Sequence, residues 1–117
     1  MIYRYTGAAL ALLLLQGCAT DPAPSEQMRL TEQVIEQART VAAGETVAEL
    51  TQAEDKLARA RSAMDEEAYR TARVQAEQAE LDARLAEARV LTLRSQAQLT
   101  ELNRHIKRLR DQLGAMP

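Results

Sequence analysis

Cys18 and His105 are the only cysteine and histidine in the chain, so thiol and imidazole chemistry each have one place to sit. His105 lies among Arg104, Lys107, Arg108 and Arg110. No second His or Cys stands three or four residues away, and the cationic neighbours oppose a metal ion, so it reads as a solvated helix-end residue. The carboxylates Asp65-Glu66-Glu67 could be imagined around a divalent cation. Acidic groups near a helix start complement its dipole without one. The sequence offers no Ser, His and acid constellation, no glycine-rich phosphate loop, and no core large enough to shift pKa values. The expectation is a protein that is not an enzyme, with no catalytic residues, metal, cofactor or small-molecule substrate.

Cys18 belongs to a different kind of chemistry. It closes Leu15-Gln16-Gly17-Cys18, the exit of an apolar run, Gly7–Leu15, of nine residues. A helix that crosses a bilayer needs about 20 apolar residues, so this run is too short to remain a span. With Arg4 ahead of it, the layout is that of a secretory leader. The tetrapeptide resembles the bacterial lipobox. That resemblance implies a diacylglyceryl group on the Cys18 thiol, removal of residues 1–17, and acylation of the new amine. Two or more acyl chains anchor stably where one does not, and a lone thiol that is alkylated needs no disulfide partner. Ala19 follows, where an aspartate would imply retention at the inner membrane. The implied address is therefore the cell envelope, at the outer membrane and facing the periplasm.

Without residues 1–17 the chain has 14 basic and 17 acidic side chains, a net charge of −3. That balance argues against a nucleic-acid binder. The remaining residues include no Phe or Trp and one tyrosine, Tyr69. Ala, Leu, Glu, Gln and Arg dominate, which is the composition of long helices and coiled coils.

Few breakers divide the rest. Residues 18–25, with Pro22 and Pro24, read as a lipidated start and a flexible tether. The first helix is expected over about 26–43, capped by Ser25, with Met28, Thr31, Val34, Ile35, Ala38 and Val41 on one face. Gly44 ends it. Thr46-Val47-Ala48-Glu49 has the form of a capping box for a second helix over 46–64, striped by Leu50, Ala53, Leu57, Ala60 and Met64. No Gly or Pro follows until Gly114. A change of apolar register at Asp65-Glu66-Glu67 predicts a turn with Asp65 as N-cap; one unbroken helix from 46 to 113 is the rival.

The third helix, 66–113, first presents Ala68, Ala72, Ala76, Ala79, Ala83, Ala86 and Val90. Its far half changes to Leu99, Leu102, Ile106, Leu109 and Leu113, a 3-4 seam of large residues that calls for a partner. Residues 114–117 form a tail. The fold class is all-α, an alanine-rich antiparallel hairpin or three-helix arrangement with a long coiled-coil-like C-terminal helix.

The segment from Glu49 to Ala88 resembles the bacterial envelope family of domain of unknown function 4398. The residues that carry the likeness are Glu49-Leu50, Ala53, Lys56-Leu57, the acidic turn Asp65–Glu67, Tyr69-x-x-Ala72, Ala76-Glu77, Ala79 and Asp82-Ala83. Ile35-x-x-Ala38 fits the family's first helix, while Val47 stands where the family often has proline. The Tyr-x-x-Ala turn also looks like one tetratricopeptide helix pair. The resemblance implies a secreted, often lipidated helical envelope protein, in some members fused to a peptidoglycan-binding domain for which this chain has no room. No activity comes with it.

Together these readings predict a membrane-anchored lipoprotein with a structural or adaptor role, its seam meeting a helical protein partner or another copy of itself. The alternative is an envelope tether. Arg104, Lys107, Arg108 and Arg110 would then touch lipopolysaccharide, other anionic headgroups or wall polymers. The chain ends Gly114-Ala115-Met116-Pro117, without the terminal lysine of covalently attached wall tethers, so that contact is expected to be non-covalent.

Overall fold

The computed structural model describes residues 21–115, which form three α-helices and no strand: α1 Ser25–Ala42, α2 Ala48–Asp65 and α3 Tyr69–Gly114. The fold is all-α, and the 46-residue α3 is about 69 Å long at 1.5 Å per residue. The unbroken helix from 46 to 113 is not formed.

Each helix end has a cause, and several differ from the simplest sequence signal. Pro24 rather than Ser25 precedes the first turn of α1: it is buried and its carbonyl accepts the Met28 N–H at 3.0 Å. A proline there forfeits only an N–H that a helix start leaves unused. Ala43 (φ 50°) and Gly44 (φ 87°) both turn left-handed at the other end, with the Ala43 N–H on the Arg39 carbonyl. The Thr46 and Glu49 side chains do not form a capping box on α2. Val47, in extended conformation, is its N-cap and makes no side-chain cap bond. It is buried with Ala42, Ala86 and Val90, so apolar packing holds this loop, and Glu49 is taken across to Arg89 on α3 at 3.4 Å.

The second turn explains how a chain without Gly or Pro breaks a helix. Glu67 adopts φ 57°. The Ala68 N–H reaches the Ala63 carbonyl at 2.8 Å and the Glu67 N–H reaches that of Met64 at 3.1 Å. These two bonds are the Schellman pattern, with glutamate in the position usually held by glycine. Asp65 is consequently the last residue of α2, not the N-cap of α3.

Side-chain pairs give the directions. Glu32 meets Arg61 and Arg39 meets Glu54, so α1 and α2 are antiparallel. Lys56 meets Asp82 and Glu49 meets Arg89, so α2 and α3 are antiparallel as well. Gln27 bonds Glu80 and Gln37 bonds Glu87, so α1 and α3 run the same way. The alanine face of α3 packs between the other two helices: Ala76, Ala79 and Ala83 bury against Met28, Ile35, Ala38, Ala53, Leu57 and Ala60. Alanine allows close approach but contributes little area, whereas burying a large aliphatic side chain is worth about 1.5–3 kcal/mol. Met28, Ile35, Leu57, Val47 and Val90 therefore carry most of the apolar stabilisation.

Candidate interaction surface

Because α1 and α3 are parallel, the start of the described chain lies beside the start of α3. Arg73 donates to the Pro22 carbonyl at 3.4 Å. The opposite end of the body is the connection between α1 and α2, held by Arg94 of α3. Its guanidinium pairs with Glu45 at 3.0 Å and lies 3.5 Å from the Ala42 carbonyl. Beyond Arg94 every residue of α3 is exposed. From Ser95 to Gly114 the helix leaves its own body as an arm of about 30 Å.

This arm holds the seam. Leu99, Leu102, Leu109 and Leu113 are 56–66% exposed and Ile106 37%. Their 3-4 spacing sets them on one side of the helix. Consecutive large aliphatic side chains in water form the kind of apolar patch that marks an interaction site. The basic cluster shares the arm without forming a single positive surface. Glu101 sits at its centre: Oε1 is 2.8 Å from His105 Nε2 and 3.3 Å from Arg108, and Oε2 is 3.3 Å from Arg104. Lys107 and Arg110 have no ion pair among the described residues. Cys18 and the Leu15-Gln16-Gly17 that precede it lie outside the described residues.

The acidic run at the second turn is split among separate structural duties. Asp65 ends α2, Glu66 accepts from the Ser62 hydroxyl at 3.3 Å, and Glu67 takes the left-handed position. Among the described residues no group of three or more His, Cys, Asp or Glu is placed to hold a metal ion. Among the described residues, the one carboxylate moved clearly from its ordinary range is Glu80. The Arg84 guanidinium at 2.6 Å and the Gln27 amide at 2.9 Å hold it low, against a smaller opposing effect of burial. That arrangement joins α1 to α3 and belongs to the body.

One feature of the surface escapes a reading that follows the alanine stripe. Counting back from Leu99 in the same 3-4 register reaches Ser95, Thr92, Ala88, Leu85 and Leu81, and all five are exposed. Leu85 lies two residues, about 200°, from buried Ala83, so this second stripe faces away from α1 and α2. Its spacing is present in the sequence, but the filled alanine register beside it is the stronger periodic signal.

No match was found among the curated proteins. Residues 26–102 match the family described as a domain of unknown function, DUF4398. The fold is also similar to the crystal structure, at 2.47 Å resolution, of a DUF4398 family protein from Pseudomonas aeruginosa PAO1. The two are 62% identical with a TM-score of 0.74, over 80% of this chain and 97% of that chain. The matched segment takes in all of α2 and all but the first residue of α1, and with this identity the chain belongs to the DUF4398 family.

Proposed function

We propose that this protein is a lipid-anchored envelope component with a structural or adaptor role, held through Cys18 at the outer membrane on its periplasmic side. The observation that carries the reading is the exposed seam on an arm that has left its own body. Ile106 lies 33 residues along α3 from Arg73, the contact of Pro22, a distance of about 50 Å. A chain tethered just before Pro22 thus holds its apolar seam far from the tether, where a helical partner or another copy can reach it. In the body, side chains such as Gln27, Glu49 and Lys56 join one helix to another.

A second reading follows from Lys107 and Arg110, whose charges no neighbour neutralises among the described residues. They suit non-covalent contact with an anionic polymer such as the cell wall or lipopolysaccharide.

The test has two arms. Cys18→Ser should abolish palmitate labelling, because serine forms no thioether, and persistence of label would refute the anchor. A photo-crosslinker at Leu102 in living cells should trap a protein, and Ile106→Asp should abolish that product. Recovery of wall or lipopolysaccharide fragments instead, sensitive to Lys107→Glu and Arg110→Glu, would favour the tether.

A further inference from the structure

The seam and the five positions behind it form one outward stripe from Leu81 to Leu113, about 48 Å long. We infer that a second copy of this chain covers it, with the two α3 helices antiparallel and centred on Ala97. This deepens the adaptor reading by naming what lies on the seam, and it holds whether or not Cys18 is acylated.

The residues along the stripe choose the direction. Leucine or isoleucine fills both ends, while Ala88, Thr92 and Ser95 hold the near-middle. Side by side and parallel, each small residue would meet its own copy and leave three underfilled layers. Antiparallel about Ala97, Ala88 meets Ile106, Thr92 meets Leu102 and Ser95 meets Leu99 of the other copy. The ends close as Leu81 on Leu113 and Leu85 on Leu109. Every small residue is then opposed by a large one, which is how knobs fill holes without voids.

Charge makes the same choice. A parallel pair sets Arg84 against Arg89 at the flanking positions that decide coiled-coil pairing. The antiparallel pair sets Arg110 near Asp82, which also holds Lys56, Asn103 near Arg89, which also holds Glu49, and Gln112 near Arg84, with no like charges opposed. Sliding the antiparallel pair until only the arms overlap matches leucine with leucine, but it leaves Leu81 and Leu85 bare. Because the stripe lies opposite the alanine face, α1 and α2 do not stand in the way. The two Tyr69 residues come to lie about 84 Å apart. A dimer tethered at both ends would therefore lie along a membrane rather than stand on it.

Residues 19–117 contain all three helices and no cysteine, and the crystallised relative, matched over 97% of its length by 80% of this chain, supports the folding of such a chain by itself. In this protein, sedimentation should give twice the monomer mass. Nitroxide labels on Gln98→Cys should lie within about 20 Å of each other across the dimer, and those on Gln112→Cys about 45 Å apart. Leu85→Asp should weaken the dimer at least tenfold with helicity unchanged. A monomer at all concentrations overturns the inference, but it leaves palmitate labelling and capture of a different partner to be judged separately. Short distances at both labels mean a parallel pair, and about 24 Å at Gln112 means arms alone; either result, or a dimer indifferent to Leu85→Asp, overturns the pairing.

Discussion

The Thr31 hydroxyl lies 2.9 Å from the Gln27 carbonyl in its own helix and 3.1 Å from the Ala76 carbonyl across the α1–α3 contact. Both Thr31 and Ala76 are fully buried. One hydroxyl proton is shared between two carbonyls, and the short reach exists because Ala76 presents only a methyl group. Close approach therefore matters more here than hydrogen bonding. Ala76→Leu should destabilise the body by about 1–3 kcal/mol or more through overpacking. Thr31→Val, nearly equal in shape, should cost no more than about 1 kcal/mol, since both carbonyls keep their helical donors. Urea unfolding of the two variants followed by circular dichroism gives the comparison, and equal losses would contradict it.

Glu67 occupies a left-handed position at which glycine carries no steric penalty. Its φ of 57° costs a residue with a Cβ about 1–2 kcal/mol, offset in part by the greater entropy glycine has when unfolded. Glu67→Gly is thus expected to raise stability by about 0.5–1 kcal/mol. Ala68→Pro should do the reverse, because it removes the N–H that reaches Ala63. A lower melting temperature for Glu67→Gly would show that the carboxylate has a further role in the turn.

Acid should loosen the α1–α3 contact through Glu80. Its folded pKa is depressed, first by Arg84 and then by Gln27. Its contribution is accordingly complete above the ordinary glutamate pKa of about 4.3 and lost as pH falls through the lower folded value. Arg84 is well exposed, so the contribution at neutral pH is small, about 1 kcal/mol or less after screening. Glu80→Gln should lower stability by that amount at pH 7, and the gap from wild type should narrow as pH falls below the ordinary glutamate range. A gap that does not change with acid would assign the effect to packing instead.

Ile106→Asp separates folding from association. The residue lies on the arm beyond the body, so the unfolding free energy of a monomeric sample should move by no more than roughly 0.5 kcal/mol, as for a surface substitution. Burying that carboxylate in a closed seam without a partner is far more costly. Self-association or partner recovery should drop by at least tenfold, measured by sedimentation and by co-purification from membranes. Unchanged association would leave the seam a solvated helix face.

Local and periodic features were enough to announce much of this protein. Alanine and leucine at 3-4 spacing, the absence of Phe and Trp and the break at Gly44 determine an all-α chain with a long last helix. The alanine register of α3 and the stripes through Ile35 and Leu57 identify the buried faces, because side-chain period and burial are coupled in any amphipathic helix. The turn at Glu66–Ala68 was legible only as a slip in register: a left-handed glutamate leaves no composition signal, and the bonds to Ala63 and Met64 that stabilise it exist only in the folded turn. Helix starts were harder still. Ser25, Thr46 and Asp65 have capping chemistry, yet Pro24 and Val47 precede α1 and α2, since burial of their apolar side chains outweighs one side-chain hydrogen bond. The directions of the helices, and the position of the seam at the end remote from Pro22, show in ion pairs and hydrogen bonds between residues 15 to 53 apart in sequence. No local rule reaches that far; only packing three helices around an alanine face decides which end of α3 is covered and which is left bare.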